Sequence, residues 1–459
     1  MRIVRTPPQR KADGSLTFVQ AANIRDEPWW PAPVCPHSIV AQISIPGSKS
    51  ASNRALILAA LADGPSHISG LLDARDTRLM VAALSSLGVE INVANTDSSS
   101  FGSSGNVDAR ITPPSALIGP ARIDVGLAGT VMRFMPPVAA LAKGLVSFDG
   151  DAHARERPMK SMIDALVALG VTLHSDGFLP FSIEGSGTVS GGTIEIDASA
   201  SSQFISGLLL SAARFEHGLT VHHVGAAVPS LPHIEMTCAM LKDRGVEVHT
   251  DGATRWTVAH GPIRGIDSVI EPDFSNAAPF LAAALLTSGS VTVHNWPETS
   301  TQPGIAIRDI LERMGAQVSL NPSGLTVTGD GVISGIDADL SAVGELAPTI
   351  AALSAFATSP STLTGIAHLR GHETDRLAAL TREINALGGN VEEQQDGLRI
   401  TPRPLHSGRF HTYADHRMAT AGALIGLRVP HIEVENIATT AKTIPDFPRR
   451  WNELVSAHP

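Results

Sequence analysis

Lys49, Ser50, Ser52 and Arg54 crowd the stretch Ile45-Pro-Gly-Ser-Lys-Ser-Ala-Ser-Asn-Arg54, immediately ahead of the apolar run 55–61. Pro46-Gly47 ends a β-prone segment, and the apolar spacing predicts a helix from about Ser50 or Ala51. A helix start offers unpaired N–H groups and the positive end of its dipole. Hydroxyls and cations at the same end make a site for a phosphate or carboxylate. Taken alone, the stretch also reads as a serine cap with two solvated cations. A nucleotide P-loop is excluded by spacing, because Lys49 does not directly follow a glycine.

The arrangement recurs along the chain. Gly126-Leu-Ala-Gly-Thr-Val-Met-Arg133 places Gly129 and Arg133 at another helix start. Arg157 precedes Pro158, a residue suited to a first helical turn. Ser199-Ala-Ser-Ser-Gln-Phe204 gathers Ser201, Ser202 and Gln203 before an apolar helix, and Ser230 lies in a Pro-flanked turn. Glu345 stands just before a helix predicted from residue 346. His372-Glu-Thr-Asp-Arg376 begins a helix predicted to run to Leu387, sets Glu373 beside Arg376 and lacks the second histidine of the zinc motif His-Glu-x-x-His. Tyr413-Ala-Asp-His-Arg-Met418 supplies Arg417, and Ala441-Lys-Thr-Ile-Pro-Asp446 supplies Lys442. Each of these has an ordinary reading as a cap or a solvated charge. Their shared position is the signal: N-termini facing one cleft would bring dipoles and cations onto one anionic ligand.

The elements that must position them repeat. A helical apolar run, a turn and a β-prone stretch appear at 53–70, 130–150, 202–225, 276–296, 346–366 and 417–437. A second helical run alternates with the first, ending at Gly88, Gly170, Gly245, Gly315 and Gly388. Glycine at these ends suits the left-handed position after a helix. The period predicts six helix–strand–helix–strand units, three to a lobe. The switch falls near 269–273, and the strand ending at Ile45 is expected to pair back with the later lobe. Two neighbouring crossings make a hinge, with the cleft between lobes as the ligand site.

Composition narrows the partners. The 459 residues are 43% hydrophobic and carry a formal net charge of -10, which argues against nucleic acid as a bulk electrostatic partner. Two cysteines, Cys35 and Cys238, form neither a disulfide framework nor a metal-ligand pair, so a reducing, cytoplasmic setting is expected. No apolar run is long enough to span a bilayer. Residues 1–36 are rich in Pro and charge without an apolar signal region, and are expected to form a loosely ordered extension.

Pro-Gly-Ser-Lys-Ser-x-Ser-Asn-Arg, Ala-Gly-Thr-x-Met-Arg, Arg-Pro, Ser-Ser-Gln-Phe, Glu-Thr-Asp-Arg-Leu, Asp-His-Arg-Met and Lys-Thr-x-Pro-Asp occur in this order. As a set they resemble the 5-enolpyruvylshikimate-3-phosphate synthase family over about 34–451. The resemblance implies a two-lobed inverse α/β barrel of six βαβαββ-like units. One lobe would comprise 37–45 plus 271–459 and the other 46–270, with the hinge near 45–47 and 269–273. It implies transfer of the enolpyruvyl group of phosphoenolpyruvate to the 5-hydroxyl of shikimate 3-phosphate, releasing phosphate, by a monomer needing neither cofactor nor metal. By motif, Lys49, Ser50, Arg54, Ser201, Ser202, Gln203, Ser230, Glu345 and His372 would hold shikimate 3-phosphate. Lys49, Gly129, Arg157, Gln203, Arg376, Arg417 and Lys442 would surround phosphoenolpyruvate. Glu345 would be the base for the hydroxyl, Glu373 a proton shuttle, and Lys49 an aid to both. Gly129 leaves room beside phosphoenolpyruvate, so glyphosate is an expected inhibitor.

This chain departs from the family pattern in places. Leu127 and Phe134 stand where many members carry Asn and Pro. Glu345 replaces a frequent Asp, His372 and His368 replace Lys and Asn, and His233 replaces Tyr. The same-fold transferase acting on UDP-N-acetylglucosamine is a competing reading, but it calls for a reactive cysteine on a mobile loop, and neither Cys35 nor Cys238 is so placed. A phospho-sugar binding protein without catalysis would need no carboxylate pair.

Overall fold

The computed structural model describes residues 5–10, 16–20, 29–95 and 105–457. The first three repeats supply α1 (Lys49–Ala60) and α2 (Arg75–Ser86), α3 (Gly129–Ala140) and α4 (Lys160–Ala168), and α5 (Gln203–Ala212) and α6 (Pro232–Asp243). The last three supply α7 (Phe274–Leu286) and α8 (Ile307–Arg313), α9 (Ala347–Ser354) and α10 (Arg376–Ala386), and α11 (His416–Gly426) and α12 (Phe447–Ser456). The first helix of each pair is apolar nearly all round: twelve of the thirteen residues of α7 are buried. Such a helix has no face to give to water and must sit inside. Hence α3 packs on α5 in one lobe and α9 on α11 in the other. Gly207 shows how close they come, since a Cβ there would stand 2.4 Å from the carbonyl oxygen of Arg133.

Sheets enclose these helices, the inverse of a barrel with helices outside. In the third repeat the strands Gly192–Ile196 and Leu219–His223 run parallel across α5, and Arg255–Val258 and Val248–Thr250 complete the sheet antiparallel. Strand alternation sets the inward face; in Lys143–Asp149, Val146 and Phe148 are the buried pair. The buried apolar residues fall into two clusters, one within 55–270 and the other from 32–45 together with 274–455. No helix among the described residues is long and apolar enough to cross a membrane.

One strand on each side flanks the crossings between the lobes. Val40–Ile43 runs parallel to Ser290–Val293, and Asp267–Val269 runs parallel to Ser66–Leu72. The segments that cross are joined side by side: Gly47 bridges Pro272, Ser48 N–H donates to Glu271 O at 2.9 Å, and Asp273 N–H donates to Pro46 O at 2.9 Å. The Asp273 carboxylate caps α7, accepting from Asn276 N–H at 2.9 Å, and also takes the Lys49 N–H of α1 at 3.3 Å. Asp273→Ala is therefore expected to cost about 1–2 kcal/mol, the upper range for losing a cap. Urea unfolding checks this; an unchanged midpoint would contradict it.

The N-terminal segment differs from expectation. Trp29–Pro31 is the third strand of the last sheet, antiparallel to Ile432–Glu435, and Ala32 and Cys35 are buried. The sixth repeat runs on into α12 rather than a final hairpin, so its sheet edge would otherwise be open. Arg409 lies over the Trp29 ring at 4.6 Å and His411 packs edge-on to it. Residues 5–10 pair antiparallel with 16–20. The remainder of the expected extension (1–4, 11–15 and 21–28) lies outside the described residues.

Candidate active site

All fifteen residues singled out by motif line one cavity between the lobes: Lys49, Ser50, Arg54, Gly129, Arg157, Ser201, Ser202, Gln203, Ser230, Glu345, His372, Glu373, Arg376, Arg417 and Lys442. The first helix of each repeat accounts for part of this. α1 brings Lys49, α3 Gly129, α5 Gln203, α7 Ser275 and α11 Arg417, while Glu345 sits on the turn Gly344–Leu346 that leads into α9. Seven basic side chains line the cavity against three carboxylates, so an acidic protein keeps a locally positive site.

Burial strips water from these cations. Arg157 and Arg133 are both held below the ordinary arginine value by burial, and Arg133 further by Arg157 beside it. Arg133 donates to Gln203 Oε1 at 2.9 Å. A Cβ on Gly129 would stand 3.2 Å from both terminal nitrogens of Arg157 and from Gln203 Oε1, so this glycine forms the floor between them. Lys49 Nζ lies 3.4 Å from the buried Asp76. Arg54 differs from the motif expectation in having most of its donors engaged. Its Nε donates to Thr237 at 2.8 Å, its NH1 to Ser50 O at 3.0 Å, and its NH2 to His233 O at 3.0 Å and Ser206 at 3.3 Å. Burial lowers its pKa to about 9.

The carboxylates are ionised by their neighbours. Burial pushes Glu345 upward, but the charge and hydrogen bond of His233, with Arg417 beyond, outweigh it and hold Glu345 well below the usual carboxylate range. Burial also opposes ionisation of Glu373, and Lys442 and His416 overcome it. Glu373 accepts from Lys442 Nζ through Oε1 and lies 3.0 Å from His416 Nδ1 through Oε2. Arg376 forks onto Asp415 at 2.8 and 3.2 Å, with both side chains buried. His372 is pushed far below the ordinary histidine value by burial, then by Arg376 and His368. It offers the cavity a hydrogen bond but no charge. Glu373, Asp415 and His416 bring ligand-type atoms within 4.8 Å of one another, yet these acceptors are already committed to Lys442 and Arg376.

Local folding departs from the sequence reading at two of these segments. α1 begins at Lys49 rather than Ser50 because Ser48 caps it. The helix expected from His372 begins at Arg376, where Asp375 accepts from Ala378 N–H at 3.1 Å. Glu373 thus sits on a turn following the one-turn helix Ala367–Gly371, free of helical constraint. Motif reasoning passed over Asp76, Asp273, Asp415 and His416. Asp415 and Asp273 are helix caps, so an acid immediately ahead of an apolar helical run was the available signal, and Asp415 also stands two residues before Arg417. For Asp76, an ordinary first-turn acid, there was none.

Buried polar atoms without hydrogen-bond partners cluster here: Arg133 Nε, Arg157 Nε, His233 Nδ1, Glu345 Oε2 and His368 Nε2 all belong to cavity-lining residues. Folded proteins rarely leave such atoms unpaired. Their concentration in one crevice marks a site completed by a polar, anionic ligand.

A family model described as EPSP synthase (3-phosphoshikimate 1-carboxyvinyltransferase) matches residues 35–451. A 2.37 Å structure of EPSP synthase from Acinetobacter baumannii superposes with a TM-score of 0.74 at 23% identity, covering 93% of this chain and 97% of that one. A second EPSP synthase structure from the same organism gives 0.72 at 23% identity, covering 92% and 97%. The likeness to these structures is one of fold, the two-lobed inverse α/β barrel. With the family match running through every motif that lines the cavity, the chain belongs to the EPSP synthase (3-phosphoshikimate 1-carboxyvinyltransferase) family and transfers the enolpyruvyl group of phosphoenolpyruvate to shikimate 3-phosphate in aromatic amino-acid biosynthesis.

Proposed function

We propose that the two carboxylates divide the proton transfers of this addition–elimination between them. Glu345 takes the proton of the 5-hydroxyl as its oxygen attacks the central carbon of phosphoenolpyruvate. Glu373 relays a proton from Lys442 or His416 to the methylene carbon, then takes one back as the C–O bond to phosphate breaks. Lys49 assists both steps. The observation supporting this is the placement of two ionised carboxylates in one cavity whose cations come from both lobes. Positioned acid–base groups of this kind contribute about 10²- to 10⁴-fold in rate.

Lys49, Ser50, Ser201, Ser202, Gln203 and Ser230 hold shikimate 3-phosphate, with Arg54 bracing that wall and His372 offering a neutral contact. Arg157, Arg376, Arg417 and Lys442 hold phosphoenolpyruvate over Gly129. The hinge lies near 45–47 and 269–273, where the crossing segments are hydrogen-bonded side by side. The chain acts as a monomer in the cytoplasm; both cysteines are free buried thiols outside the cavity lining, which suits a reducing compartment. A coupled phosphate-release assay tests the function: release should require both substrates. Release with UDP-N-acetylglucosamine but not with shikimate 3-phosphate would overturn it.

The same placement makes glyphosate an inhibitor competing for the phosphoenolpyruvate space. Gly129→Ala would put a methyl 3.2 Å from the Arg157 guanidinium. Crowding of about 1–2 kcal/mol should raise the glyphosate IC50 roughly tenfold or more. An unchanged dose–response curve would place glyphosate elsewhere.

A further inference from the structure

His233 and Glu345, two positions at which this chain departs from the family pattern, meet in the fold. His233 lies in the first turn of α6, in the lobe built from 46–270, and Glu345 lies in the other lobe. His233 Nε2 and Glu345 Oε1 are 2.7 Å apart. Three residues before His233 and four before Glu345 the backbones also meet, for Ser230 N–H donates to Ser341 O at 3.0 Å. The histidine is anchored from behind, its carbonyl accepting from Arg54 NH2 at 3.0 Å and Thr237 Oγ1 at 3.0 Å.

The length of the acid matters. An aspartate is one C–C bond shorter, about 1.5 Å, and from the same backbone position would not span to the ring. With Oε1 held by the ring N–H, the second oxygen of Glu345, buried and without a hydrogen-bond partner, is left as the acceptor open to a substrate hydroxyl. We propose that His233 is a positioning residue: by reaching across the cleft it fixes one oxygen of Glu345 and presents the other to the 5-hydroxyl. The bond joins the two lobes, so the base is set in place only when they are together, and an open cleft leaves Glu345 unheld. This inference rests on Glu345 being the base.

The test uses the full-length enzyme with His233→Phe, His233→Gln, Glu345→Asp, Glu345→Gln and the His233→Phe/Glu345→Asp double variant. Steady-state kcat and KM are measured beside shikimate 3-phosphate affinity by calorimetry. His233→Phe should lower kcat about 10- to 100-fold, the loss expected from a reacting group displaced by about 1 Å, with affinity kept within about threefold. His233→Gln retains an N–H donor and should restore much of kcat, which also guards against a misfolded Phe variant. In the double variant the loss should be no greater than in Glu345→Asp alone, because the contact is already broken. The proposal is overturned if His233→Phe keeps wild-type kcat, if the two losses multiply, or if kcat and affinity fall together. Glu345→Gln separates the two levels. Wild-type turnover in that variant removes the base assignment itself, whereas an inactive Glu345→Gln beside an active His233→Phe removes only the positioning role.

Discussion

Glu345→Gln is expected to lower kcat by about 10²- to 10⁴-fold, the range for losing a positioned proton acceptor. The substitution keeps shape and volume and leaves an oxygen to accept the His233 N–H, which is 2.7 Å away in the wild type. What it removes is a buried negative charge that burial disfavours and that His233 and Arg417 sustain. With Lys49 and the serines of the opposite lobe proposed as the main holders of shikimate 3-phosphate, its binding should stay within about threefold. Rapid-quench measurement of the first turnover, with calorimetry of the binary complex, checks both halves. A variant that lost affinity and kept its turnover would show Glu345 to be a binding group.

Asp415→Ala is expected to be the most destabilising single change at the site. Asp415 is fully buried, forks onto Arg376, and caps α11 by accepting Arg417 N–H at 2.8 Å. Its removal strands a buried guanidinium, a loss of about 3–5 kcal/mol, with roughly another 1 kcal/mol for the cap. Urea denaturation should show a shift of that size, and Asp415→Asn, which retains a capping oxygen, a smaller one. Since Arg376 and Arg417 share this carboxylate, the Michaelis constant for phosphoenolpyruvate should rise in both variants. A midpoint within about 1 kcal/mol of wild type would mean that Arg376 finds solvent instead.

Much of this site could be read from spacing because its parts sit where helices begin. Gly129, Gln203 and Arg417 are recognisable by the apolar run that follows each of them, and the six-fold recurrence of that run carried the two-lobed architecture. What spacing could not supply was pairing. Glu345 and His233 are far apart in the chain, and nothing local to either announces the bond between them. Arg54 looked like an anion ligand from its motif, yet three of its partners, Thr237, Ser206 and His233, come from distant segments. The turn carrying Glu373 has a helical spacing but lies outside the helix, because Asp375, rather than a residue before His372, provides the cap. Trp29–Pro31 was missed for a different reason: three residues ending in proline have no strand signature, and their place is fixed by an edge formed about 400 residues later.

The strands that return to the later lobe also impose an order on synthesis. One lobe has a core drawn from a single unbroken stretch, 55–270, and can fold as it leaves the ribosome. The other lobe opens with Val40–Ile43 but cannot seat that strand until Ser290–Val293 emerges, roughly 250 residues on, and it closes its last sheet only when Ile432–Glu435 is made. The half bearing Glu345, Arg376 and Arg417 is therefore finished last. A chain truncated during translation before residue 432 would display one well-formed half beside exposed strand edges, and would be a ready client for chaperones or proteases.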